Sequence, residues 1–86
     1  MPCISRFYGI LIYLYAGDHN PPHFHAKYAG QDVAIQIETL EAIAGEIPRR
    51  AMQLVLEWAR QHRSELLSDW QLLQSGQPAI PIEPLP

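Results

Sequence analysis

The segment Asp18-His19-Asn20-Pro21-Pro22-His23-Phe24-His25-Ala26-Lys27-Tyr28 holds the residues best suited to chemistry. Three of the chain's four histidines fall in it, between positions 19 and 25. Imidazole changes protonation near neutral pH and ligates late first-row metals, so three roles fit. In an acid–base role, His23 and His25 transfer protons while His19 and Asp18 orient the site. Lys27, with Arg49 and Arg50, then holds an anionic phosphate. In a metal role, His23 and His25 ligate a divalent ion such as zinc as a pair on one strand face, with His19 or Asp18 closing the shell. In the third role the same residues form a polar face that docks a partner protein.

Position on a strand decides how these groups can meet. Residues 23–28 read as a strand, on which Phe24, Ala26 and Tyr28 point one way and His23, His25 and Lys27 the other. The apolar set must face the core, which leaves the histidines and lysine on an open face. The preceding stretch from Gly17 to Pro22 is turn-forming, and its two prolines restrict how the loop can swing.

The surrounding elements follow from periodicity. Ile4 to Arg6 and Ile10 to Tyr15 read as strands joined near Gly9, the second apolar on both faces and so central in the sheet. After the hairpin loop Ala29-Gly30-Gln31, the chain returns over Asp32 to Ile37 with Val33, Ile35 and Ile37 inward. A short strand from Leu40 to Ala44 ends at Gly45. Pro48 suits the first turn of a helix, and Ala51, Leu54, Val55, Trp58, His62, Leu66, Trp70 and Leu73 recur at helical spacing. Polar residues from His62 to Ser64 predict a break, with Ser64 capping a second helix. Gly76 closes the helical region.

The predicted fold is therefore α+β: four or five mainly antiparallel strands covered on one face by a C-terminal helix or helix pair. One domain over residues 1–76 accounts for the pattern. Prolines 78, 81, 84 and 86 make residues 77–86 an extended or disordered tail. Trp58 and Trp70 belong to the core by spacing, and His62 reads as a capping or partly buried histidine. Asp32, Glu38, Glu41 and Glu46 read as a solvated acidic edge that discourages pairing between sheets.

Composition narrows the class. With 86 residues, 48% hydrophobic and 17% charged, the chain is globular and has room for one small core. A partner or a homodimer contact would add to its stability. The net charge of -3 argues against broad electrostatic binding of nucleic acid, although a local cationic pocket is compatible with it. A lone Cys3 forms no internal disulfide and points to the cytoplasm. No apolar run is long enough to span a bilayer, and no signal-peptide pattern opens the chain.

Several of these stretches resemble the bacterial domain-of-unknown-function family 4160. They are Ile4 to Ile10, Asp18 to Tyr28, Pro48-Arg49-Arg50-Ala51, Leu54 to Ala59 and His62 to Trp70, so the resemblance runs to about Glu83. Its matching positions include Asp18, His19, Pro21, Pro22, His23, Phe24, His25, Lys27, Arg49 and Arg50. The resemblance implies a toxin-like half of a type II toxin–antitoxin pair, with a small cognate antitoxin as partner in a bacterial cytoplasm. It supplies no reaction. The expectation is a toxin-like protein acting on RNA or another phosphate-bearing substrate, such as a ribonuclease or hydrolase. The alternatives are a metal-binding protein and a non-catalytic docking module.

Overall fold

Two tight turns set the sheet. Tyr8-Gly9 and Ala29-Gly30 both have positive φ at each position, at 51° and 78° and at 52° and 82°. That pairing matches two-residue hairpin turns whose twist suits the flanking strands. The computed structural model describes residues 3–86, so residues 1 and 2 of the expected domain lie outside the described chain. The strands are β1 (Cys3–Phe7), β2 (Ile10–Tyr13), β3 (His23–Tyr28), β4 (Gln31–Gln36) and β5 (Ala42–Gly45). They form one sheet in the order β1-β2-β3-β4-β5, every neighbouring pair antiparallel. Strand β3 is thus central, paired on both edges and bracketed by the two hairpins.

The sheet has one apolar face. Ile10, Ile12 and Leu14 are fully buried, as are Phe24, Ala26, Ile35 and Ile37, with Val33 nearly so. Helices α1 (Arg49–Gln61) and α2 (Arg63–Gln74) supply the second layer. Trp58 of α1 is fully buried and its ring lies 5.4 Å from Phe7 and 6.0 Å from Phe24. The expected α+β architecture is present.

Boundaries moved where local chemistry overrode the pattern. Strand β2 stops at Tyr13 and not Tyr15, and β5 begins at Ala42 and not Leu40. Leu40 takes a φ of 60°, a turn conformation, and its N–H donates to the Gln36 carbonyl. The helix break falls at His62, with Ser64 inside α2 and not capping it. His62 leaves helical geometry at φ -126°, and its carbonyl accepts the first N–H bond of α2 from Leu66. Its Nδ1 meets the Glu65 carboxylate, and its ring lies 5.4 Å from Trp58, a capping and packing role. Gly76 ends α2 at φ 82°: its N–H donates to Leu73, and that of Gln77 donates to Leu72. That double bond is the Schellman arrangement, which satisfies the last carbonyls of the helix.

Residues 77–86 carry neither helix nor strand, yet they pack on the domain. Ile82 and Leu85 are buried in the core. The Ile82 N–H donates to the Ile4 carbonyl at 2.8 Å, covering part of the β1 edge, and the Trp58 indole N–H donates to the Glu83 carbonyl at 2.8 Å. The Tyr8 hydroxyl donates to the Pro86 carbonyl. Prolines hold this segment extended, and the apolar residues between them anchor it.

Asp69 of α2 carries a cost that this tail only partly offsets. The residue is 2% exposed. Its Oδ1 accepts the Ile80 N–H at 2.9 Å, while Oδ2 is buried without a partner. Burial raises its pKa above the ordinary aspartate value; the Ile80 N–H opposes that shift and the nearby Glu65 charge adds to it. The folded protein therefore holds this proton more tightly than the unfolded chain. Its contribution is most favourable at low pH and is lost as pH rises from the ordinary carboxylate value through the raised one. Asp69→Asn keeps an oxygen for Ile80 and removes the buried charge. Urea denaturation should show the variant at least as stable as wild type at neutral pH, with the pH-dependent loss flattened. A less stable variant with an unchanged pH profile would contradict this assignment.

Candidate metal-binding site

Three elements converge beside the N-terminal end of β3. The loop after β2 brings Asp18, the start of β3 brings His23 and His25 on one face, and the end of α2 closes the side. Asp18 Oδ2 lies 3.1 Å from His25 Nε2 and 3.2 Å from His23 Nε2. One potential ligand atom from each residue lies within 4.8 Å of the others, the only such group of histidine, cysteine or acidic residues among the described residues. All three side chains are shielded without being sealed off: His23 is 9% exposed and Asp18 and His25 are half-buried.

The hydrogen bonds fix the tautomer of His23. Its Nδ1 lies 2.8 Å from the Pro21 carbonyl oxygen, which can only accept. Nδ1 therefore carries the hydrogen, and in the neutral ring Nε2 presents a lone pair. Nε2 lies 3.2 Å from Asp18 Oδ2. A backbone carbonyl that holds one ring nitrogen and aims the other is a common support of histidine–metal ligation. His25 meets the same carboxylate oxygen through Nε2 in hydrogen-bonding geometry.

The supporting shell explains why the loop lies where it does. The Asn20–Pro21 peptide bond is cis. The Ile37 N–H donates to the Pro22 carbonyl at 3.0 Å, tying the loop to the end of β4. Gln74 of α2 donates from Nε2 to the Asp18 carbonyl at 3.3 Å. The Trp70 ring lies 5.4 Å from His23, and the Tyr15 ring meets His25 edge-on at 4.7 Å. The face expected to be open is thus partly closed over His23 by the end of α2, because that helix reaches past the strand end.

The other residues singled out by sequence separate from this cluster. His19 is exposed and lies outside the three-residue group, in which Asp18 is the third member. Lys27 shares the face of His25, two residues along β3, and its Nζ lies 5.1 Å from the centre of the Tyr13 ring. Arg49 and Arg50 are exposed at the start of α1, and no hydrogen bond or ion pair joins them to the cluster among the described residues. Trp70 and Gln74 were not foreseen as neighbours of the site. Their helical spacing of four was visible, but nothing local in the sequence indicates which strand end α2 reaches.

No helix is long and apolar enough to cross a membrane among the described residues. Comparison with curated proteins and with solved structures gives no significant match in either set. The family described as "Domain of unknown function (DUF4160)" matches residues 9–71, which includes β2 to α1, most of α2 and every residue of the cluster. The chain belongs to that family.

Proposed function

We propose that the protein binds a divalent ion of the zinc class through Asp18, His23 and His25, and uses the site in a toxin-like role on a phosphate-bearing substrate such as RNA. The observation that carries the metal reading is the convergence of one Asp18 oxygen on the Nε2 atoms of His23 and His25 at 3.2 and 3.1 Å, with His23 Nε2 left unprotonated in the neutral ring by the Nδ1–H bond to Pro21. Two imidazoles and one carboxylate are a donor set that zinc and neighbouring late first-row ions favour. An ion held by these three residues would supply Lewis acidity and would make a bound water more acidic. Asp18, His23 and His25 would hold it, Pro21 and Gln74 would orient the ligands, and Trp70 would keep bulk water from His23.

Protein purified without a histidine tag should carry close to one equivalent of metal, or take up one equivalent of added zinc. Protein that stays metal-free with zinc in excess would remove this reading.

A second reading uses His23 and His25 as acid and base without a metal. The placement of Lys27 beside His25 on one face favours it, since an ammonium there can hold a phosphate oxygen. Expression in bacteria separates the toxin-like role from both chemistries. Wild type should arrest growth and the His23→Ala/His25→Ala double variant should not, while a co-expressed antitoxin-like neighbour should relieve the arrest. Equal arrest by both forms would take the histidines out of the mechanism.

A further inference from the structure

The sheet face beyond the histidine cluster is organised as a strip of rings ending in cations. Tyr13 and His25 are register partners on β2 and β3, and so share a face. The Tyr13 and Tyr15 rings stack at 6.1 Å with 4° between planes, and Tyr15 meets His25 at 4.7 Å. Lys27 Nζ sits over the Tyr13 ring, 5.1 Å from its centre. One residue row further, Arg6 pairs with Leu11 and Leu11 pairs with Lys27, which sets Arg6 and Lys27 on the same face with one strand between them. At the usual strand spacing their Cα atoms lie about 10 Å apart.

Neither cation forms an ion pair among the described residues, where all the ion pairs involve histidine, although Asp32 lies opposite Lys27 on β4. At Lys27 lies a surface hollow of about 350 Å³, lined by Gly9, Leu11, Lys27, Tyr28 and the turn from Ala29 to Asp32. No ring contact joins Tyr13 or Tyr15 to either helix among the described residues, and both side chains are half-exposed. Rings that only filled a core would face the helices, as Phe7 and Phe24 do.

We infer that this strip binds a phosphate ester carrying an aromatic base, with the phosphate on Lys27 and Arg6 and the base against Tyr13 and Tyr15. The inference rests on the reading of the histidine cluster as the reactive end, since it supplies that site's substrate class. Aromatic side chains beside a local cationic groove are the usual means of holding unpaired nucleotides, and they work despite a net negative chain. His25 stands about 7 Å along β3 from Lys27, about the length of one extended nucleotide unit. The shared chemistry is that of a free nucleotide or of a single-stranded nucleic acid.

Equilibrium binding to the full chain tests it with four probes: uridine monophosphate, a labelled oligouridine of about eight nucleotides, the same length as a duplex, and inorganic phosphate. Each is measured with zinc-loaded and metal-free protein. The expected result is measurable binding of the nucleotide or the single strand, at least about fivefold tighter than phosphate or duplex. A single strand at least about tenfold tighter than the monophosphate identifies the polymer as the source; equal affinities identify the free nucleotide. The Arg6→Ala/Lys27→Ala and Tyr13→Leu/Tyr15→Leu variants should each weaken binding at least about fivefold, the first also reducing its salt dependence. Both should keep the wild-type circular dichroism and zinc stoichiometry. Failure of the cluster reading shows separately: protein that takes up no zinc but still binds the single strand through Lys27 keeps this inference and loses the metal. Binding that prefers phosphate or duplex, that is absent, or that persists in both variants overturns it.

Discussion

Replacing His23 with alanine is expected to weaken zinc binding by more than about 100-fold, because even outer partners of a metal ligand are worth about 10–100-fold. Of the two cluster histidines, His23 is held by the Pro21 carbonyl on one side and the Trp70 ring on the other. Zinc at about a hundred times its dissociation constant stabilises a protein by about 2.7 kcal/mol. In a domain this small that shifts thermal unfolding by roughly 10 °C or more. The shift should vanish in His23→Ala and in His25→Ala. It should persist in His19→Ala, whose side chain is exposed and outside the cluster. His25→Ala guards against a folding artefact, since His25 is less buried than His23 and its loss disturbs packing less. A zinc-induced shift that survives both single variants would place the ion elsewhere.

Trp58→Ala should have the largest effect on stability, about 3–5 kcal/mol in urea denaturation. Trp58 is fully buried, touches both Phe7 of β1 and Phe24 of β3, and hydrogen-bonds the tail through Glu83. Small domains have only about 5–15 kcal/mol in total, so this variant stands close to unfolding at room temperature. Trp58→Phe keeps most of the apolar contact and loses the indole N–H. It should cost about 1–2 kcal/mol and release the tail, making residues near Glu83 more open to proteolysis. A Phe variant as damaged as the Ala variant would show that the tail contact and not the ring filling dominates.

Much of the fold was legible because its signals are local. Alternation placed Phe24 and Ala26 inward, and helical spacing placed Val55, Trp58 and Leu66 in the core; all five are buried. The helix break was visible as a polar interruption, but its residue was not. His62 takes the N-cap position of α2 without a side-chain capping bond, its ring instead meeting Glu65 and Trp58, and a residue's cap preference alone does not weigh such contacts. The tail was the larger gap. Four prolines describe an extended chain equally well whether it is free or docked, and the burial of Ile82 and Leu85 depends on long-range contact with β1 and α1.

The site divided in the same way. Strand alternation put His23, His25 and Lys27 on one face, since side-chain period two needs no tertiary information. Which third group closed the cluster was not settled by spacing. Asp18 and His19 are neighbours on a loop, and their directions depend on how Gln74 and the Pro22–Ile37 bond hold that loop. The closure over His23 by Trp70 needed the helix position and was not readable from the segment itself.

The central claim is that Asp18, His23 and His25 form one metal shell. Anomalous diffraction at the zinc edge, from crystals of untagged protein grown with equimolar zinc, tests it most directly. One strong peak is expected within about 2.0–2.2 Å of Asp18 and of both imidazole Nε2 atoms, with His23 Nδ1 still on the Pro21 carbonyl. A peak centred on His19 or His62, or none with the cluster well ordered, would contradict it.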